Sequence, residues 1–180
     1  MGSSLAKRRL VQLTGIAVAT AALLLPSAAG AAELFGGIYV HDVDTPLTKS
    51  GIEDGADLMI GLRGGRIGAT PLQPYGFVAV NTSGETSYGA IGISAKFGDA
   101  IYVRPGVGLA LHTGSDGDFQ REDKIAFGSR ILFEPEIAVG ARINDRLSVE
   151  ASWVHMSHGT LFSRQNPGID NFGVRLNLKL

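Results

Sequence analysis

The sequence predicts an all-β fold: an eight-stranded antiparallel transmembrane β-barrel of a bacterial outer membrane, following a cleaved signal peptide. Three observations predict it. The chain opens on a basic, then apolar, then small-residue stretch. Beyond that stretch no apolar run is long enough for a membrane helix, which needs about 20 residues. The remainder reads as short segments of period-two alternation separated by polar, Gly-rich connections, the pattern of strands that face two different environments.

The leader comes first. Lys7, Arg8 and Arg9 precede an apolar run from Leu13 to Leu25, and Pro26, Ser27 and a small-residue stretch from Ala28 to Ala32 follow. This order is that of a secretory signal peptide. Ala29-Gly30-Ala31 and Gly30-Ala31-Ala32 both satisfy the small-x-small rule, so cleavage is expected after Ala31 or Ala32. Residues 1–32 are read as the signal and residues 33–180 as the barrel domain. The apolar run is too short to serve comfortably as an uncleaved anchor.

Composition narrows the function classes. The chain has 16 Lys+Arg, 17 Asp+Glu and no Cys. Removing the signal takes away three positive charges, which leaves 13 basic against 17 acidic residues and a net charge of −4. Nucleic-acid binding wants clustered positive charge, so it is not expected. An exported chain without Cys must hold together without disulfides.

The strands follow in order. The C-terminal segment is the clearest: Phe172, Val174, Leu176, Leu178 and Leu180 alternate with Gly173, Arg175, Asn177 and Lys179. Similar alternation runs through Ala56–Arg63, Ile91–Phe97, Ile101–His112, Arg130–Arg142 and Leu147–Trp153. Leu34–Val43 and Leu72–Val80 are less regular and complete the eight. Short or moderate connections (Gly64–Pro71, Gly98-Asp99, Asn144-Asp145) interleave with longer polar ones (Asp44–Gly55, Thr113–Ala126, His158–Ile169). Outer-membrane barrels have this asymmetry, with long loops outside the cell.

Parity alone does not separate a membrane barrel from a soluble one. The polar face carries Gly and small residues, as a narrow eight-stranded lumen requires. It also carries charges of both signs, so Arg104, Arg130, Glu134, Glu136, Arg142 and Glu150 are expected to point inward and pair. His41 and His112 are expected at the barrel rim, and the four His show no metal-ligand spacing.

One constellation bears on chemistry. His155 and Ser157 lie two apart on a strand and share a face. That face is also the one of Leu147, Val149, Ala151 and Trp153, which a membrane barrel turns to lipid. Asp170 shares the parity of Phe172, Val174 and Leu176 on the next strand. Ser, His and a carboxylate thus converge on one outer patch near the extracellular end, where polar groups are costly unless they have a function. Such a trio can carry acyl transfer, with Ser as nucleophile, His as base and the carboxylate orienting the imidazole.

His155-Met156-Ser157-His158-Gly159, then Asn166-Pro167-Gly168-Ile169-Asp170, then the alternating terminal strand, resemble the outer-membrane lipid A 3-O-deacylases (the PagL, or acyloxyacyl hydrolase, family). The resemblance implies a serine esterase that removes the 3-O-linked acyl chain of lipid A, with lipopolysaccharide as substrate in outer-membrane lipid. It implies Ser157 as nucleophile, His155 as base, Asp170 as acid and Asn166 as the residue that helps hold the oxyanion, with no cofactor and no metal. The family's acid is usually Glu, so Asp170 is one methylene short, and the family's Asn after the Ser is His158 here. Monomer and homodimer are both open. The alternative reading is a non-catalytic small barrel serving adhesion or envelope integrity.

Overall fold

The computed structural model describes residues 32–46, 48, 51–117, 124–161 and 166–180. All but the last residue of the expected signal peptide lies outside them. The described chain forms nine strand segments: β1 (Glu33–Val40), β2 (Ala56–Arg63), β3 (Leu72–Asn81), β4 (Tyr88–Ala95), β5 (Phe97–Gly98), β6 (Ile101–His112), β7 (Ile131–Arg142), β8 (Leu147–Met156) and β9 (Ile169–Lys179). β4 and β5 run in one register against β6, with Ser94 opposite Gly106 and Phe97 opposite Val103. They make a single stave. Each stave pairs antiparallel with its sequence neighbours, and β1 pairs with β9, from Glu33 opposite Lys179 to Val40 opposite Phe172. The result is a closed antiparallel barrel of eight staves, as the sequence predicts. Closure leaves no unpaired sheet edge, and only such a sheet satisfies its backbone within a bilayer.

The alternation sets inside from outside. Ile38, Val40, Leu58, Ile60, Val107, Val139 and Val174 stand on the outer wall, each more than half exposed. Such a belt is what lipid solvates. The inward positions hold Phe35, Tyr39, Tyr75, Phe77, Tyr88 and Tyr102, all buried. Space for these rings comes from glycines on neighbouring staves: Gly61 lies under Phe35 and Gly140 under Tyr102, so close that a Cβ would overlap the ring.

The lumen charges differ from expectation in membership. Glu134, Glu136, Glu150 and Arg104 point inward and are buried. Arg130 does not; it is half exposed at one rim and pairs with Asp116 at 2.8 Å. Arg142 sits at the other end, paired with Asp99 at 2.9 Å and open to solvent. Arg130 immediately precedes β7 and Arg142 ends it, and at such positions a long side chain reaches water more cheaply than it enters the lumen. The inward cations are Arg63, Arg104 and Arg175, all fully buried. Arg175 grips Glu136 with both terminal nitrogens at 2.8 and 3.1 Å and also pairs with Glu150. Arg104 reaches Glu150 at 2.9 Å, and Arg63 and Arg104 share Glu33 at 3.1 Å each. Tyr75 donates to Glu134. Buried ions are tolerable only when so paired.

His41 is likewise more than a rim residue. Its two ring nitrogens meet Asp57 at 2.9 Å and Glu53 at 3.2 Å, all three side chains being buried. Glu53 accepts from the backbone of Thr86 and Ile125, and Asp42 accepts from the amides of Gly51, Ile52 and Glu53. One buried cluster therefore ties three connections together over the end of the barrel where the candidate site lies. Burial alone would lower the pKa of His41, but the hydrogen bonds to Asp57 and Glu53 outweigh it and raise it to about 9. Burial would raise that of Glu53, yet its bonds from His41 and Thr86 hold it at about 2. His112 packs on Phe127 and faces the Ser129 carbonyl at 2.7 Å.

Candidate active site

Three adjacent staves build the site. Ser157 follows β8 directly and is held to β7 by a reciprocal backbone pair: the Phe133 amide donates to the Ser157 carbonyl at 2.8 Å, and the Ser157 amide to the Phe133 carbonyl at 3.1 Å. His155 lies two residues earlier on β8, so its side chain emerges on the same face. Asp170 lies on β9 directly opposite His155 in the ladder. Opposed residues of an antiparallel pair carry Cβ atoms about 5 Å apart, within reach of a short acid and an imidazole.

The side chains meet accordingly. His155 Nε2 lies 2.9 Å from Ser157 Oγ, and His155 Nδ1 lies 2.8 Å from Asp170 Oδ1. With Nδ1 protonated, the imidazole donates to the carboxylate and presents Nε2 as an acceptor for the serine hydroxyl. The sequence-predicted trio is thus brought together in the expected order. The His155 side chain is 12% exposed and that of Asp170 0%.

That burial is a finding the sequence did not announce. By parity Asp170 belongs to the lipid-facing wall, yet the connection between β1 and β2 covers it. Thr48 Oγ1 donates to Asp170 Oδ2 at 2.7 Å and Thr45 Oγ1 donates to the same oxygen. On the other side Trp153 Nε1 donates to Asp170 Oδ1 at 2.8 Å. The indole also lies beside the imidazole, ring centres 5.8 Å apart. The parity that Trp153 shares with His155 was visible in the sequence. Thr45 and Thr48 are about 125 residues from Asp170 along the chain, and no local pattern marks their approach.

Gly168 is a second unannounced contributor. A Cβ there would stand 2.9 Å from His155 Cε1, 2.7 Å from Thr48 Cγ2 and 3.0 Å from the Met156 carbonyl oxygen. The backbone before β9 therefore forms a wall against the imidazole that only glycine allows. Asn166 lies exposed on the same segment, two residues before Gly168, and His158 is buried immediately after Ser157. Among the described residues no group of three or more His, Asp or Glu is disposed to hold a metal ion.

Comparison with known proteins bears on this geometry. The sequence model of the family described as Lipid A 3-O-deacylase (PagL) matches residues 69–179, a span that includes Ser157, His155 and Asp170. No curated protein matches the chain. Among solved structures, that of the outer membrane enzyme PagL superposes with a TM-score of 0.58 at 17% identity, covering 82% of this chain and 99% of that one. A designed transmembrane β-barrel superposes with a TM-score of 0.54 at 10% identity, covering 84% of this chain and 96% of that one. Neisserial surface protein A (NspA) gives 0.52 at 16% identity, covering 84% and 99%. These likenesses establish the fold. The family match covers well over half of the chain, and on that ground the chain belongs to the lipid A 3-O-deacylase (PagL) family, whose place is the outer membrane.

Proposed function

We propose that this chain is a serine esterase that hydrolyses the 3-O-linked acyl chain of lipid A in the outer membrane. The observation that carries this reading is the continuous hydrogen-bonded series Ser157–His155–Asp170 on the outer wall, at 2.9 and 2.8 Å. The barrel alone would not carry it, since a designed barrel has the same architecture.

In this reading Ser157 Oγ attacks the ester carbonyl while His155 Nε2 takes its proton. The tetrahedral intermediate collapses, His155 returns the proton to the departing sugar oxygen, and the acyl chain remains on Ser157. Water, activated by the same imidazole, then releases the fatty acid. Asp170 holds the imidazole in the correct tautomer and stabilises its charged form. Asn166 is assigned to the oxyanion by its place in the family motif; fixed donors there act where negative charge develops. The site opens on the lipid-facing wall, which suits a substrate whose acyl chains lie in the bilayer. We also propose that the mature chain begins at Ala32 or Glu33. Glu33 belongs to the lumen ion network and the Ala32 carbonyl accepts from the Leu180 amide at 2.8 Å. N-terminal sequencing of the outer-membrane fraction tests this.

The decisive experiment is mass spectrometry of lipid A from cells that express the wild type or Ser157→Ala. The expected result is loss of the 3-O-acyl group with the wild type alone. Deacylation by a correctly inserted Ser157→Ala would defeat the proposal. Absence of deacylation by either protein would leave a non-catalytic barrel for adhesion or envelope integrity.

A further inference from the structure

We propose, resting on the esterase reading above, that Thr45 and Thr48 are positioning residues for catalysis: the connection after β1 supplies two hydroxyls that fix the Asp170 carboxylate against His155. A carboxylate offers about four acceptor sites on two oxygens. Here all four are engaged. Oδ1 accepts from His155 Nδ1 and Trp153 Nε1, each at 2.8 Å. Oδ2 accepts from Thr48 Oγ1 at 2.7 Å and from Thr45 Oγ1. A short acid gains its aim from this enclosure. With Oδ2 bound on the far side, Oδ1 is held toward the imidazole and rotation about the Cβ–Cγ bond would break several charge-assisted bonds together.

The connection is built to deliver these hydroxyls. The Thr45 amide donates to the Thr48 carbonyl at 3.1 Å, and both hydroxyls reach Asp170 Oδ2. The Val43 amide donates to the backbone carbonyl of Asp170 itself at 2.7 Å, and the Asp42 amide to Asn171 Oδ1 at 2.9 Å. The segment is therefore registered on the acid and on its neighbour. Asp42 adopts φ 51° and receives three amides from the returning backbone, which fixes the segment from its other end.

The role has a signature that simple loss of packing lacks. Without the two hydroxyls, the carboxylate charge falls more heavily on the imidazole. The imidazole should then be less well aimed, and the pH dependence of the rate should change with it. The experiment compares wild type, Thr45→Val/Thr48→Val, Thr45→Ser/Thr48→Ser, Thr48→Val alone and Ser157→Ala, each purified in detergent and checked for barrel formation by heat-modifiable gel shift. Fatty acid released from lipopolysaccharide is measured across pH. The Val pair is expected to lose kcat by roughly ten- to a hundredfold, the scale of lost hydrogen bonds to a charged group. KM should change little, the pH profile should shift, and the Ser pair should restore both kcat and profile. Thr48→Val alone should show the same trend if the pair does not fold. Wild-type kcat and pH profile in the Val variants would overturn the proposal while Ser157→Ala, if inactive, leaves the esterase reading intact. A loss that scales the whole profile without moving it, or that Ser does not restore, would also overturn it. Activity in Ser157→Ala would remove the reading and this proposal together.

Discussion

His155 and Asp170 stand directly opposite one another across β8 and β9, so the distance between base and acid is set by the sheet ladder and not by a loop. That register brings the short Asp170 carboxylate within 2.8 Å of His155 Nδ1. Asp170 is also fully enclosed, by Thr45, Thr48 and Trp153. Asp170→Glu therefore has no free volume to enter and must push the covering connection outward. It is expected to retain activity at a level reduced about tenfold, whereas Asp170→Ala should fall roughly 10⁴-fold, the scale for loss of the orienting member of such a trio. Initial rates of fatty-acid release from lipopolysaccharide order the two variants; an Ala variant as active as the Glu variant would contradict the enclosure argument.

Gly168 should be intolerant for a geometric reason. A methyl group would meet His155 Cε1 at 2.9 Å and the Met156 carbonyl at 3.0 Å. The latter is backbone and cannot yield easily, so the imidazole must turn. Gly168→Ala is expected to lower kcat about tenfold or more, since small misplacements of reacting groups are costly. The barrel itself should keep its heat-modifiable gel shift. Parallel measurement of rate and gel shift separates the two effects.

The His41 cluster predicts a pH dependence of the covering connections. His41 is raised from 6.5 to about 9, so its stabilising contribution is complete below pH 6.5 and is lost as pH rises through about 9. Glu53 is lowered from 4.5 to about 2, so its contribution is complete above pH 4.5 and is lost as pH falls through about 2. The cluster is strongest between those limits, from pH 4.5 to 6.5. Proteolytic nicking of the segment between β1 and β2 should therefore accelerate from pH 6.5 to pH 9.5. The increase should be much smaller in His41→Gln, which has no charge to lose. Equal acceleration in both proteins would place the pH response elsewhere.

Glu136 carries the lumen network. It receives both terminal nitrogens of the fully buried Arg175. Glu136→Leu leaves that guanidinium with Glu150 as its remaining carboxylate partner, and removing one member of a buried pair costs about 3–5 kcal/mol. The midpoint of urea unfolding in detergent should drop accordingly, and the fraction running as folded barrel should fall. A midpoint within experimental error of the wild type would show that Glu150 alone neutralises Arg175.

Much of this structure was legible in the sequence because a barrel repeats one rule. Period-two alternation named the staves and, with the small-residue lumen, their inward faces. The parity of His155, Ser157 and Asp170 put them on a single wall. What escaped was of two kinds. Strand ends obey solvent reach as well as parity, so Arg130 and Arg142 left the lumen while Arg63 and Arg175 filled it. Contacts between distant segments have no local signature. Thr45 and Thr48 meet Asp170 only because β1 closes on β9, and the burial of Asp170 follows from that approach.

That closure carries a consequence for the timing of activity. β1 and β9 lie at opposite ends of the barrel sequence, and their seam joins Glu33–Val40 to Phe172–Lys179. Asp170 sits at one end of that seam on the β9 side, and its hydroxyl donors follow β1 on the other. Ser157 and His155 can be neighbours before the barrel closes, but Asp170 is caged only after the two ends have met. In the proposed esterase, a chain whose ends have not yet met would hold Ser157 and His155 side by side without the caged carboxylate, so closing the barrel is what completes the site.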